Sequence, residues 1–273
     1  MSDFETLKGV EWLFFDVFGT VVDSSISTIQ ILKVFIVNTG KSHMSESMLQ
    51  VAKRVEPELA EKNPNSKDEI WQDRVQQWRN GFMKQAKANA EKNHREQGGM
   101  DEGHRQLLDN LLVEWKVSQA WDDKAREELV KEWHKLQGWP DSSEGLKRLH
   151  DRFILCTLTN GDTAVMINMC RGANLVVDSH IGGDSIQTYK PDPAMYKQGI
   201  RLSRLPAEKI AMVAAHGYDL DAAKSHGMKT IYIKRSTEDL SDPITRESAK
   251  GRFDAFIDVD EGGLLALAKK FGL

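Results

Sequence analysis

The stretch Val10-Glu11-Trp12-Leu13-Phe14-Phe15-Asp16-Val17 decides the fold. It is apolar, too short for an ordinary helix, and rich in β-formers, so it reads as a buried strand. It stops at Phe18-Gly19-Thr20, where a glycine permits a sharp turn. From Pro140 onward the chain alternates in the same style. Helical patterns over 142–151, 162–171, 193–202, 218–226 and 262–270 are interleaved with strand patterns over 153–159, 210–215, 228–233 and 255–259. Alternating βα units imply an α/β fold, a doubly wound parallel sheet with helices on both faces, and the first strand belongs to that sheet.

Between the first strand and the rest, residues from about Ser24 to Gln137 contain no convincing strand. Ile26, Ile29, Leu32, Val34 and Phe35 recur at helical spacing, as do Leu107, Leu108, Leu111, Leu112 and Trp115, then Leu129, Trp133 and Leu136. Six of the seven tryptophans, Trp71, Trp78, Trp115, Trp121, Trp133 and Trp139, lie here or just beyond, and their plainest use is helix packing. The expected division is a core of residues 1–23 and 138–273 with a helical cap of residues 24–137 inserted after the first strand.

The balance of 37 basic and 41 acidic residues in 273, a net charge of −4, leaves no basic excess for a nucleic-acid backbone. Composition is that of a globular chain, 40% hydrophobic and 29% charged. Two cysteines, Cys156 and Cys170, cannot form a disulfide framework and read as buried thiols of a reducing compartment. No run of about 18 apolar residues occurs. The first residues lack a secretory pattern and the last lack a lipidation signal. The expectation is a soluble cytoplasmic protein with no membrane or nucleic-acid partner.

In such a sheet, ligands bind beyond the carboxyl ends of the strands. That rule selects Asp16, Thr159-Asn160, Lys190 and the run Ala214-Ala215-His216-Gly217-Tyr218-Asp219. Asp16 reads either as a turn-capping carboxylate beside the Gly19 and Thr20 amides or as a nucleophile, which needs a cation to stay ionised. Lys190, in Tyr189-Lys190-Pro191-Asp192-Pro193, is the candidate cation; without that context it reads as a surface lysine at a helix entry. Thr159 and Asn160 either cap the next helix or donate toward an anion.

Four segments in this order carry a resemblance: Phe15-Asp16-Val17-Phe18-Gly19-Thr20, Leu158-Thr159-Asn160-Gly161, Tyr189-Lys190-Pro191-Asp192-Pro193 and Ala214 to Asp219. Together they resemble the haloacid dehalogenase superfamily, and within it the type II 2-haloacid dehalogenases and the azetidine-2-carboxylate hydrolases. The likeness runs from about Val10 to Arg235 and includes Trp78-Arg79, His104-Arg105 and Trp133 to Asp141. It implies a doubly wound core under a helical cap and a hydrolase that cleaves a bond to carbon next to a carboxylate, by way of an aspartyl ester and without a cofactor or metal. In the implied roles Asp16 is the nucleophile, Lys190 holds it ionised, and Thr159 and Asn160 lie near the ester and the leaving group. Asp219 orders the site and its water, and Arg79, with Arg105 as the second choice, anchors the substrate carboxylate. Phe18 and Tyr218 count as further substrate contacts. The substrate is a small 2-halocarboxylate or a related molecule, and a homodimer is consistent with the similar enzymes.

Two rival readings stand beside this one. Magnesium-dependent phosphatases of the superfamily carry an acid/base aspartate where this chain has Phe18, and a metal-binding one where it has Ala214-Ala215-His216. The fold could also serve a non-catalytic binding protein. Many type II dehalogenases have Ser-Ser-Asn at that last triplet, so His216 is a departure. It reads as a helix-cap or packing residue, or as a neutral base for the hydrolytic water, with Asp219 three residues on to orient the ring or favour its charged form.

Overall fold

A computed structural model of the chain describes residues 4–24, 74, 76–85, 88, 99–115, 118 and 122–273. They divide into two compact units. One holds the described residues of Met1–Ser24, Ala86–Arg95 and Leu136–Leu273; the other holds those of Ser25–Gln85 and Glu96–Lys135. The sequence readings over residues 25–73, and that of Trp121, lie outside the described residues.

The first unit is built on a sheet of six parallel strands. They are β1 (Trp12–Phe15), β2 (Ile154–Leu158), β3 (Ser179–Ile181), β4 (Ile210–Ala214), β5 (Lys229–Ile233) and β6 (Ala255–Ile257), in the spatial order β3-β2-β1-β4-β5-β6. Strand β1 lies between β2 and β4, with Trp12 in register with both Ile154 and Ile210. That position explains its apolar run. Leu13, Phe14 and Phe15 point to alternate faces and are all fully buried, because both faces are covered. Each such side chain contributes ~1.5–3 kcal/mol by burial. Phe14 packs in one layer with Cys156, Leu158, Met212 and Tyr196.

The described helices of eight residues or more are α1 (Gly99–Glu114) and α2 (Asp123–Lys131) in the second unit. In the first unit they are α3 (Ser142–His150), α4 (Thr163–Gly172), α5 (Pro193–Ser203), α6 (Gly217–Ser225) and α7 (Gly263–Lys270). Residues 76–85 are also helical. Helices α3 and α7 close on each other at Gly145, where a Cβ would come within 2.6 Å of Cβ of Leu264. Arg235, just beyond β5, makes a bidentate pair with Asp141 at 2.6 and 2.9 Å and donates from Nε to the carbonyl of Thr20 at 3.0 Å. A buried fork of this kind ties the segment after β5 to the turn after β1.

The second unit centres on His104. Its ring is stacked between Phe82, 3.9 Å away, and Trp133, 4.3 Å away, with Trp78 edge-on at 5.6 Å. The Trp78 indole donates to the His104 carbonyl at 3.0 Å. Burial pulls the imidazole down to about 3, so the ring is neutral, and neither of its nitrogens has a hydrogen-bond partner among the described residues. The helix-packing use of tryptophan thus holds for Trp78 and Trp133. Trp139 instead belongs to the first unit, where its indole donates to the Gly19 carbonyl at 3.0 Å.

Several expectations need correction. Strand β1 is shorter than 10–17: Val10 and Val17 are buried outside it. The edge strand β3 leaves no strand pattern in the sequence, since Ser179-His180-Ile181 offers one aliphatic side chain and no alternation. The pattern through Leu129, Trp133 and Leu136 is α2 followed by a 3₁₀ turn, Glu132–Lys135, rather than one helix. Cys156 is buried, but Cys170 is only partly so; burial pushes their thiols up to about 12 and about 11.

Candidate active site

Three parallel strands end side by side, and the residues that follow them converge. Asp16 follows β1, Thr159 and Asn160 follow β2, and Ala215 and His216 follow β4. Asp219 lies in the first turn of α6, and Lys190 precedes α5. Asp16, Lys190, His216 and Asp219 are all buried, at 5, 2, 7 and 0% exposure.

The two oxygens of Asp16 have different neighbours. Oδ1 accepts from Nζ of Lys190 at 2.7 Å. Oδ2 accepts from the Thr20 hydroxyl at 2.7 Å and from Nδ1 of His216 at 3.0 Å. The Thr20 hydroxyl itself accepts from the Ala215 amide at 2.8 Å, which fixes its proton toward Asp16. Lys190 also donates to Oδ2 of Asp219 at 2.5 Å, and the Tyr196 hydroxyl donates to the other Asp219 oxygen at 2.6 Å. Nε2 of His216 donates to Oε2 of Glu238, a buried residue on the loop after β5, at 2.9 Å.

Burial alone would raise the Asp16 carboxyl. The Lys190 ammonium and the His216 ring outweigh it and hold Asp16 well below the usual carboxylate range. Burial likewise opposes charge on Lys190, but Asp16 and Asp219 raise it above its ordinary value. His216 is pushed up to about 10: burial lowers it, and hydrogen bonds to Asp16 and Glu238 more than reverse that. Asp219 is raised, by burial and by the nearby Asp16 charge, against the pull of Lys190. The result is an ionised, dry carboxylate, with an ammonium on one oxygen and two donors on the other.

The remaining candidates fall in different places. The Asn160 side chain accepts from the Lys190 amide at 2.6 Å, so it holds the lysine's backbone rather than capping α4. Thr159 accepts from the Gly161 amide at 3.2 Å, within its own turn. Phe18 is half-buried, with its ring beside Gly161. Tyr218 is 40% exposed, with its ring 5.7 Å from that of His216. Arg79 is half-buried in the second unit. Arg105 is paired there with Asp109 at 3.0 Å and Asp123 at 2.6 Å.

Three features differ from the expected site. The Gly19 and Thr20 amides donate to the carbonyls of Val22 and Val17, so Asp16 is held by the Thr20 hydroxyl and not by turn amides. Asp219 serves Lys190 and Tyr196, and the carboxylate that orients His216 is Glu238. A ring between two carboxylates is cationic, which does not suit a neutral base. Thr20, Tyr196 and Glu238 join the site beside the residues expected from the sequence. Thr20 stands in the first motif, and the strand-end rule applied to β5 would have led to the loop that carries Glu238.

A haloacid dehalogenase-like hydrolase family model matches residues 10–227. Among curated proteins, (S)-2-haloacid dehalogenase 4A of Burkholderia cepacia is 26% identical over 135 residues, covering 48% of this chain and 58% of that protein. (S)-2-haloacid dehalogenase 1 of Pseudomonas sp. (strain CBS-3) is 31% identical over 134 residues, with the same two shares. The match therefore spans a little over half the length of these relatives. The crystal structure of a defluorinating L-2-haloacid dehalogenase is similar over 97% of this chain and 96% of its own, with a TM-score of 0.74 and 27% identity. Strand order, strand-end chemistry and a family match over most of its length agree: the chain belongs to the haloacid dehalogenase-like hydrolase family.

Proposed function

We propose that the chain is a cytoplasmic 2-haloacid dehalogenase that displaces a halide from the carbon next to a carboxylate through an ester on Asp16. The observation that carries this reading is the asymmetric hold on Asp16: Lys190 on Oδ1, Thr20 and His216 on Oδ2. The names and folds of the similar proteins support it.

In the first step Oδ1 attacks the carbon bearing the halogen. The C–O bond forms, the C–halogen bond breaks, and the halide leaves with the electron pair and inversion at carbon. In the second step water adds to Cγ of the ester. The carbonyl pair moves onto Oδ2, where the Thr20 hydroxyl and the His216 N–H already point, as an oxyanion requires. Asp219 and Lys190 order the water. Cγ–Oδ1 then breaks, and one proton from the water ends on the departing alkoxide. The other is released as Asp16 ionises again, now carrying the water oxygen. His216, charged as it stands, acts as a donor rather than as the base.

Both cations at Asp16 are already paired with carboxylates, so a substrate carboxylate needs a cation from elsewhere. Arg79 is the residue we assign to it, since a guanidinium can grip a carboxylate with two parallel bonds. Phe18, Tyr218, Thr159 and Asn160 remain the proposed walls and supports of the substrate site.

A magnesium-dependent phosphatase is a weaker reading. Phe18 cannot transfer a proton, and both Asp16 oxygens are engaged by Lys190, Thr20 and His216, where a hard cation would want them. The test is a screen of short 2-halocarboxylates, fluoroacetate and azetidine-2-carboxylate in EDTA, read by halide or product. Release of halide with chelator present is expected. Turnover only of phosphate esters, restored by Mg²⁺, would overturn the reading.

A further inference from the structure

Glu238 lies outside the four motifs, yet two separate features build it into the site. The loop that carries it is fixed by Arg235, whose fork holds Asp141 and whose Nε holds the Thr20 carbonyl. The space for its carboxylate is made by Gly19: a Cβ there would lie 2.5 Å from Cδ of Glu238. Gly19 also has φ +82°, so any side chain is doubly excluded. Within this pocket Oε1 of Glu238 accepts from the Thr237 hydroxyl at 3.2 Å, and Oε2 accepts from His216 at 2.9 Å.

We propose that Glu238 is a positioning residue for the second half of the reaction: it keeps the His216 ring charged and its Nδ1–H aimed at Oδ2 after Asp16 has become an ester. The inference rests on the ester mechanism above. Its physical basis is a change of charge. While Asp16 is ionised, two carboxylates face the ring. Once Asp16 is alkylated it is neutral, and Glu238 is the carboxylate left on His216. An oxyanion forms at that same moment, and a charged donor stabilises it more than a neutral one. Among the described residues, the other groups around the ring are Lys190 and Asp219 behind Asp16, the Tyr218 phenol, and Asp239, which holds the Gly217 amide at 2.9 Å. Within the first unit none of these replaces Glu238 at Nε2.

The effect should therefore appear in ester breakdown, spare ester formation, and grow with pH. Each unit by which the ring's pKa falls cuts its charged fraction about tenfold at any pH above it. In E238Q at about pH 9, a burst of roughly one halide per site is expected, followed by slow turnover with the Asp16 adduct visible by intact mass. At about pH 6 the adduct should not accumulate. Equal slowing at both pH values without adduct, or no change, would overturn the proposal. A second measurement does not depend on substrate: NMR titration of the His216 ring. The wild-type ring should stay protonated to about pH 9 and the E238Q ring should titrate lower, whereas identical titrations would overturn the proposal even if the enzyme turns over haloacids. Absence of any haloacid turnover by the wild type, with the ring shifted as expected, would instead remove the ester mechanism and leave the Glu238–His216 coupling. If E238Q does not fold, E238D draws the carboxylate back by one methylene and should lower the ring's titration in the same direction; no movement would overturn the proposal.

Discussion

One nitrogen, Nζ of Lys190, lies 2.7 Å from Asp16 and 2.5 Å from Asp219, and all three side chains are shut away from solvent. This lysine, together with the His216 ring, keeps Asp16 ionised against burial.

Lys190→Met should therefore lose the first chemical step. Without the ammonium, the His216 ring alone is left to oppose burial, so the Asp16 carboxyl rises, and Asp16 and Asp219 are left facing each other. The rate of halide release should fall by at least ~10²–10³, the scale set by removing one electrostatic contact from a reacting centre. Residual activity should rise with pH, because ionised Asp16 now forms only at higher pH. Stability should drop by ~3–5 kcal/mol, as for other broken buried pairs. Stopped-flow halide release and urea unfolding measure the two effects separately.

The second unit should be acid-labile through His104. Its pKa is about 3 in the folded protein, against 6.5 when exposed. Unfolding thus takes up a proton anywhere between those values, so stability falls as pH is lowered through that window and is flat above it. Each unit of the difference is worth about 1.4 kcal/mol. Unfolding followed by tryptophan fluorescence, which samples Trp78 and Trp133, should show this slope, and His104→Leu should flatten it.

Arg79 should govern substrate binding through geometry as well as charge. Arg79→Lys is expected to fail nearly as badly as Arg79→Ala, with transition-state binding, read from kcat/KM, weakened by roughly 2–4 kcal/mol, because an ammonium cannot bond to both carboxylate oxygens in parallel. Near-normal kcat/KM in Arg79→Ala would assign the substrate carboxylate to another residue.

The sheet was legible because its central strand is covered on both faces, which forces the unbroken run Trp12 to Phe15. The next long strands were legible for the same reason. Asp16, Lys190, His216 and Asp219 stood out because each follows an apolar segment at a strand end or opens the next helix. Strand β3 was not legible, since an edge strand of three residues buries too little to leave a pattern. The partner of His216 was misread because Asp219 is only three residues away along the chain. The turn into α6 points the two side chains apart, toward Glu238 and toward Lys190. Glu238 reaches the site through the 22-residue separation between it and His216, and nothing in the local sequence marks a loop glutamate as buried.

The central claim, that Asp16 forms an ester hydrolysed at its own carbonyl, is tested most directly by one measurement. A single turnover of a 2-halocarboxylate is run in H₂¹⁸O with enzyme in excess, and the Asp16 peptide and the hydroxy acid are then weighed. The account predicts one ¹⁸O in the Asp16 carboxylate and none in the product, because Cγ–Oδ1 breaks and the product keeps the enzyme's oxygen. An ¹⁸O in the product with an unlabelled Asp16 would mean that water attacks the substrate directly, and would contradict it.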